Sequence, residues 1–154
     1  MTIKSIIKSL LFKLYNRKKV SIELPFEVRR PSYINFEGKA YLGENCKLLC
    51  WDSYPSTKQI LSPQLNIGKE FRATRNLTIQ CANRIDIGDY ALFAGDIFII
   101  DFNHGTIPNA LGYLNNNLVT KSVYIGSNVW IGNNVTILPG SYIGNYSIIG
   151  GGVS

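Results

Sequence analysis

The sequence predicts an all-β fold, a solenoid of short parallel strands with about five coils, preceded by a short basic amphipathic helix. Two observations predict this fold. The chain ends in five consecutive six-residue units, IGSNVW, IGNNVT, ILPGSY, IGNYSI and IGGGVS, and its first nineteen residues place apolar side chains at helical spacing. A chain of 154 residues is long enough for one domain with a core, but not for two ordinary domains.

The helix is predicted over residues 2–19, where apolar residues recur three and four positions apart and basic residues lie between or after them. The apolar residues are Ile3, Ile6, Ile7, Leu10, Leu11 and Leu14. Two interpretations remain open for this segment. It attaches to an anionic membrane surface, or its apolar face covers the open end of the solenoid. We assign residues 1–40 to the helix and its lead-in.

The six-residue period is strict at the C-terminal end of the chain. Isoleucine occupies the first position of every unit, and glycine occupies the second position of four units out of five. A period of six fits neither an amphipathic helix nor a half-buried strand. We therefore expect each isoleucine to point inward and each second-position glycine to tolerate a corner conformation. The small or β-branched fifth residue is expected to let neighbouring coils approach.

Earlier segments follow the same pattern less regularly, with Leu42-Gly43, Ile67-Gly68 and Ile87-Gly88 each starting a run. We therefore assign residues 41–154 to the β-helix domain. Residues 51–63 are predicted to form an irregular excursion. Residues 101–122 are predicted to form the active-site loop, because they are rich in polar and turn-forming residues, and loops of this length inside a regular solenoid are usually functional.

Composition excludes several function classes. The net charge is +6, but the first thirty residues alone carry eight Lys or Arg against two Glu, and no nucleic-acid-binding motif is present. We therefore expect no nucleic-acid partner. The cysteines Cys46, Cys50 and Cys81 lack metal-type spacing and the chain has one histidine, so we expect buried thiols and no metal. Without an apolar run of about 18 residues or a signal peptide, a cytoplasmic location is expected.

The Ile-Gly hexapeptides, the DFNHG loop and the motif VWIGNNVTILPGSYIG resemble the hexapeptide-repeat acyltransferases. The branch concerned contains galactoside and maltose acetyltransferases, streptogramin acetyltransferases and the O-acetyltransferases of bacterial surface polysaccharides. The resemblance covers residues 65–154. It implies a left-handed parallel β-helix, an exception to the usual right-handed crossover. It also implies a homotrimer with acetyl-CoA, the donor substrate, in the groove between adjacent subunits.

His104, the single histidine of the chain, lies inside the 101–122 loop. By resemblance it matches the catalytic histidine of the family, which acts as a general base. A sugar hydroxyl is too weakly acidic to attack a thioester unaided, whereas a neutral imidazole can take its proton and return it to the CoA thiolate. Asp101 or Asn103 either orients this imidazole or forms the turn.

The resemblance assigns Trp130, Gly132 and Gly150 to acetyl-CoA binding. Trp130 matches a tryptophan near the acyl-CoA tunnel of the family, and corner packing is the alternative for it. Relatives normally continue past the last coil with a tail that closes over CoA, whereas this sequence stops at Ser154. Either the native protein is longer or its grip on the cofactor is reduced.

The acceptor site is assigned to Asn76, Asp96 and Asn103. In the galactoside type, an asparagine one coil before the histidine contacts the acceptor. Here Thr74 stands at that position, and Asn76 follows two residues later. Acceptor binding is therefore expected to differ from that of the galactoside type. A solvated corner is the alternative for Asp96.

The resulting hypothesis is an acetyl-CoA-dependent O-acetyltransferase that acts on a sugar hydroxyl in bacterial surface polysaccharide biosynthesis. Two alternatives remain. The chain is an N-acetyltransferase of an amino sugar, since an amine also needs a base, or it is a non-catalytic trimeric scaffold. If the helix attaches to a membrane surface, we expect the protein to associate peripherally with the inner face of the cell membrane through residues 2–19.

Overall fold

The computed structural model describes residues 3–16, 18–108 and 110–152. Several positions used in the sequence analysis therefore lie outside the described residues. These are Thr2 and Arg17 of the predicted helix, Asn109 of the loop, and the last two repeat residues, Val153 and Ser154. Within the described part of the chain, no helix has the length and apolar content needed to cross a bilayer.

The described residues form one α-helix, α1 (Ile3–Asn16), followed by short strands that pair in parallel in three rows. The first row contains β1 (Val20–Ile22), β4 (Ala40–Glu44), the first halves of β9 (Phe71–Cys81) and β11 (Leu92–Ile100), β15 (Trp130–Ile131) and β18 (Ile148–Ile149). The second row contains β2 (Phe26–Arg29), β5 (Cys46–Cys50), the second halves of β9 and β11, and β16 (Thr136–Ile137). The third row contains β3 (Ile34–Phe36), β8 (Gln64–Ile67), β10 (Arg84–Ile87), β14 (Val123–Ile125) and β17 (Tyr142–Ile143).

Two antiparallel hairpins project from this winding. They are β6 (Ser53–Tyr54) with β7 (Gln59–Ile60), and β12 (Phe102–His104) with β13 (Leu118–Thr120). Short 3₁₀ turns occupy Pro31–Tyr33 and Tyr113–Asn115. The chain passes from the first row to the second and then to the third, and repeats the order. The first pass uses β1, β2 and β3, which lie within the range assigned to the helix and its lead-in.

Parallel register stacks inward-pointing apolar side chains from one coil to the next. Leu42, Ala73, Phe93 and Ile131 are successive partners in the first row, and all four are fully buried. Strands in such a ladder lie about 4.8 Å apart, so each inward side chain contacts the equivalent side chain of the next coil. At about 25 cal/mol per Å² of apolar surface removed from water, this continuous core is the main stabilising term of the fold.

The structure corrects the role expected for the second-position glycines. Among the described residues, the corner conformation falls on the fourth position of the unit, where φ is 57° at Asn128 and Asn134, 60° at Tyr146 and 86° at Gly140. Asparagine and glycine tolerate this left-handed region better than most residues do. The second-position glycine is needed instead for close approach. A Cβ atom on Gly88 would lie 2.6 Å from the backbone nitrogen of Ser127.

Helix α1 packs on the first coil through a few residues. The ring of Phe12 stacks on that of Phe26, with centroids 5.8 Å apart and an interplanar angle of 18°, and lies 6.3 Å from that of Phe36. Ser9, one turn earlier, is also buried. The helix therefore covers the inward side chains of β2 and β3, which have no coil beyond them on this side among the described residues.

The close approach of the coils predicts a contrast between two glycines at the same position of the repeat. Gly88→Ala is expected to lower the free energy of unfolding by about 1–3 kcal/mol, because the new methyl group meets the backbone of the next coil. Gly144→Ala is the matched control. Its Cβ would lie 3.9 Å from the Ser147 hydroxyl, so the change should be neutral or slightly stabilising. Chemical denaturation of both variants measures the difference, and equal losses would contradict the packing role.

Candidate active site

The loop that carries His104 leaves the solenoid after β11 and returns to it before β14. Its two ends form the β12–β13 hairpin, in which His104 is the register partner of Leu118 and Asn103 that of Val119. The backbone N–H of Gly105 also donates to the carbonyl of Asn117 at 3.1 Å. The hairpin holds the backbone of His104 in place while its side chain stays exposed.

Asp101 anchors the start of the loop. Its buried carboxylate accepts hydrogen bonds from the backbone N–H groups of Ala82 at 2.7 Å and Asn83 at 2.9 Å, and lies 3.4 Å from the Cys81 thiol. Burial raises the pKa of this carboxyl group, and the same hydrogen bonds oppose that rise. Both oxygens are therefore engaged by the preceding coil. The Asp101 carboxylate thus holds the preceding coil, and among the described residues no hydrogen bond places it on His104.

The excursion over residues 51–63 packs against the histidine loop and holds its returning strand β13. The side chain of Gln59 donates to the Leu118 carbonyl at 3.1 Å and accepts from the Leu118 N–H at 2.7 Å. A small apolar cluster lies beneath these contacts, formed by Leu61, Ala82 and Leu118 with Trp51, Tyr54 and Phe102. Sequence reasoning described this segment only as irregular and missed its supporting role. The two aromatic residues within the excursion were the available signal.

Tyr54, in the β6–β7 hairpin, contacts the imidazole of His104. Its hydroxyl oxygen lies 3.4 Å from His104 Nδ1, and the two rings meet edge to face with centroids 5.6 Å apart. The same hydroxyl donates to the Leu114 carbonyl at 2.7 Å. Tyr54 was not predicted from the sequence, because fifty residues separate it from His104.

A shallow depression of about 220 Å³ lies beside the imidazole. Its lining consists of His104 with Asn103, Thr106, Val119, Lys121 and Pro139. Of the residues assigned to the site, Asn103, which precedes His104 in the sequence, also lines this depression. Pockets that enclose a whole small ligand usually measure about 300–1,000 Å³. On this one chain, the depression is too small and open to enclose both a cofactor and an acceptor.

Asn76 and Asp96 occupy the corner between the first and second rows. Both have left-handed backbone conformations, with φ of 50° and 63°. The Asn76 amide donates to Asp96 Oδ1 at 2.7 Å and accepts from Asn45 at 3.0 Å, and Asp96 lies 3.7 Å from the Arg75 guanidinium. The two side chains therefore form a polar ladder along the corner and are bonded to each other.

Trp130, Gly132 and Gly150 lie on the first row and on the same corner. The Trp130 side chain is 51% exposed and stands between its register partners Leu92 and Ile148, which are exposed as well. Gly132 packs closely on the last described coil, because a Cβ there would lie 2.7 Å from Gly151 N, whereas the space around Gly150 is open. Trp130, Leu92 and Ile148 thus form an exposed apolar strip.

The assigned residues thus fall on two edges of the β-helix. Asn76, Asp96, Gly132 and Gly150 lie at the corner between the first and second rows, with Trp130 on the strand before it, while His104 and Asn103 follow the second row. The two edges are separated by the second half of β11, a span of roughly 16 Å at the rise of an extended strand. Among the described residues, no hydrogen bond or ring contact joins the two groups. In the described part of the chain, no three His, Cys, Asp or Glu side chains are grouped as metal ligands.

This fold and site define a parallel β-helix protein with a histidine loop. Residues 122–154 match the family described as bacterial transferase hexapeptide (six repeats). Over 133 residues the chain is 30% identical to WbbJ of Escherichia coli K12, whose name describes an O-acetyl transferase of lipopolysaccharide biosynthesis. It is 34% identical over 128 residues to galactoside O-acetyltransferase of the same strain, and 31% identical over 111 residues to that of Lactococcus lactis.

The resemblance drawn from the repeats is confirmed by these matches. The chain carries the hexapeptide repeat of bacterial transferases and is related to named O-acetyltransferases. The alignments include 80%, 83% and 72% of this chain. They span 65%, 60% and 51% of the relatives, so the chain corresponds to part of the length of each.

Proposed function

We propose that the chain is an acyltransferase that moves an acetyl group from acetyl-CoA to a hydroxyl group of a sugar, with His104 as general base. The observation that carries the proposal is the setting of His104. It is the single histidine of the chain, exposed beside a depression, in a loop anchored by Asp101 and Gln59. The names of the relatives support the acetyl donor and the saccharide acceptor.

The proposed reaction needs one base that also acts as an acid. The imidazole takes the proton of the acceptor hydroxyl while the hydroxyl oxygen attacks the thioester carbonyl carbon. The tetrahedral intermediate then collapses, the carbon–sulfur bond breaks, and the imidazolium returns the proton to the CoA sulfur. The products are an acetyl ester and CoA with a free thiol, so the histidine ends the cycle unchanged.

We also propose that the working unit is a trimer, in which the His104 edge of one subunit faces the Trp130 edge of the next. The separation of the two edges within one chain and the small size of the depression support this arrangement. In a cyclic trimer each subunit contacts its neighbour through two different surfaces, which is what two separate half-sites require. The exposed strip around Trp130 would then cover part of the CoA, on the left-handed helix that the family implies.

Loss of the imidazole tests the chemistry directly. His104→Ala is expected to lower turnover by about 10²–10⁴-fold, the usual contribution of a general base. Oligomer size and the stabilisation of the protein by CoA should be retained, because the side chain is exposed. CoA release is measured against a panel of saccharides by thiol titration, and near-wild-type turnover would show that the base is another group.

The same assay separates the alternative functions. Matched hydroxy and amino sugars distinguish O-acetyl transfer from N-acetyl transfer, since the base serves both reactions. A protein that neither releases CoA with any acceptor nor gains thermal stability at millimolar CoA would be a scaffold instead.

A mixed-subunit experiment tests the shared site. Trp130→Glu should impair acetyl-CoA binding without unfolding the protein, because this side chain is half exposed and the new carboxylate repels the phosphates of CoA. When inactive His104→Ala and Trp130→Glu subunits are mixed in equal amounts, about a quarter of the sites should combine an intact half from each. Activity is therefore expected to return on mixing. No recovery, with subunit exchange verified by mass, would place the whole site within one chain.

We propose in addition that α1 attaches the protein to an anionic membrane surface, the first of the two interpretations of this helix. Phe12 and Ser9 face the solenoid, yet the other apolar residues of the helix remain exposed, including Leu11 and Leu14 at 59% each. These exposed side chains recur at helical spacing, which gives α1 a second apolar face away from the one that packs.

The charges around this face favour an anionic partner. No Asp or Glu occurs in the sequence before Glu23, whereas Lys8 and Lys13 lie within α1 and Lys18 and Lys19 follow it. Basic residues near an anionic bilayer contribute about 1 kcal/mol each, in addition to the burial of apolar side chains. A helix with apolar residues on one face and lysines around it fits the boundary between headgroups and acyl chains.

Vesicle sedimentation tests this attachment. The wild type is expected to bind phosphatidylglycerol-containing vesicles more tightly than pure phosphatidylcholine vesicles, and less tightly as salt rises. The double change Leu11→Ser and Leu14→Ser should weaken binding at least about ten-fold through the loss of apolar burial. Ile60→Ser, at another exposed apolar position, is the control. Unchanged vesicle binding, or a change in oligomer size instead, would assign the face to contacts between subunits.

A further inference from the structure

A neutral histidine ring carries its proton on Nδ1 or on Nε2, and the other nitrogen then has the lone pair that acts as base. We infer that Tyr54 is a positioning residue that places this proton on Nδ1 and leaves Nε2 as the basic nitrogen. The inference rests on the proposed role of His104 as general base. It adds a function for the 51–63 excursion, whose hairpin lies against the loop.

The hydrogen bonds of the Tyr54 hydroxyl set the direction of the contact. The group has one proton, and its 2.7 Å partner is the Leu114 carbonyl, which can only accept. That proton is therefore committed to Leu114. Towards His104 Nδ1, at 3.4 Å, the tyrosine oxygen can then offer only a lone pair. A favourable contact requires Nδ1 to carry a hydrogen, so the neutral ring has its lone pair at Nε2.

A closed set of pairings holds Tyr54 at this distance. Tyr54 is the register partner of Gln59 in the β6–β7 hairpin. The Gln59 side chain makes two hydrogen bonds to the backbone of Leu118, and Leu118 is the register partner of His104. The Tyr54–His104 contact completes a closed circuit of four residues, Tyr54, Gln59, Leu118 and His104. Two segments that are far apart in the sequence thereby fix one imidazole.

The tautomer matters because the two nitrogens have different surroundings. Nδ1 faces the tyrosine, whereas Nε2 makes no hydrogen bond to protein among the residues that the structure describes. Imidazole in water favours the tautomer with the proton on Nε2, which would leave the lone pair on the occupied side. Tyr54 reverses that preference. It can also keep accepting from Nδ1–H after Nε2 takes the acceptor proton, so the ring need not turn during the reaction.

Nitrogen-15 NMR of the imidazole tests the inference without an assay, and a single histidine makes the spectrum unambiguous. In the neutral wild-type protein, Nδ1 is expected to give a pyrrole-type shift and Nε2 a pyridine-type shift. Tyr54→Phe keeps the edge-to-face ring contact but removes the oxygen, so the shifts should move towards the Nε2–H tautomer. Tyr113→Phe, an exposed tyrosine in the same loop, is the matched control and should leave both shifts unchanged.

Kinetics supply the second readout. Tyr54→Phe is expected to lower kcat roughly ten-fold or more, as the loss of a group that orients a reacting histidine does, with KM for acetyl-CoA unchanged. A wild-type ring protonated at Nε2, or shifts that do not respond to Tyr54→Phe, would overturn the inference whatever the activity. Full turnover in His104→Ala would instead overturn the proposed base, and the tautomer assignment would stand.

Discussion

The whole architecture depends on the stacking of equivalent backbone segments in parallel register. Each coil contributes the same inward positions, so apolar side chains form continuous columns, such as Leu42, Ala73, Phe93 and Ile131. The spacing of about 4.8 Å leaves no room for a Cβ at second positions such as Gly88, where the backbone of the next coil lies close. Left-handed corners turn the chain from row to row. Because every coil repeats the geometry of the last, the solenoid is a rigid support for whatever projects from it.

A loop that leaves the solenoid needs hydrogen bonds of its own, because its backbone no longer pairs with the strands of the neighbouring coils. Two anchors serve the histidine loop. Asp101 uses a buried carboxylate to accept hydrogen bonds from the preceding coil, and Gln59 replaces a missing strand by bonding both backbone groups of Leu118. The backbone groups of Leu118 and the N–H groups of Ala82 and Asn83 are thereby paired, and the backbone of His104 is held although its side chain is exposed. This combination of a held backbone and an open side chain suits a reacting group.

The division of the assigned residues between two edges follows from the same geometry. A triangular coil presents its corners in different directions, and residues on one corner stay apart from those on another however many coils are added. In the proposed trimer, the Trp130 corner of one copy would face the His104 loop of the next. The proposed trimer follows the shape of the coil, and the exposed apolar face of α1 is left for the proposed membrane contact.

The repeats alone were enough to predict parallel β structure, because a six-residue period fits no other regular element, and the family resemblance also used the DFNHG loop and the VWIGNNVTILPGSYIG motif. The same sequence also singled out His104, since a lone histidine in the longest polar interruption of a repeat is conspicuous. Tertiary structure decided the rest. The second-position glycines serve close approach, and the left-handed corners fall two residues later, because φ values and distances between coils do not show in a one-dimensional pattern. Asp101 bonds to the preceding coil, and Tyr54 reaches the imidazole across fifty residues, because the solenoid brings distant segments side by side.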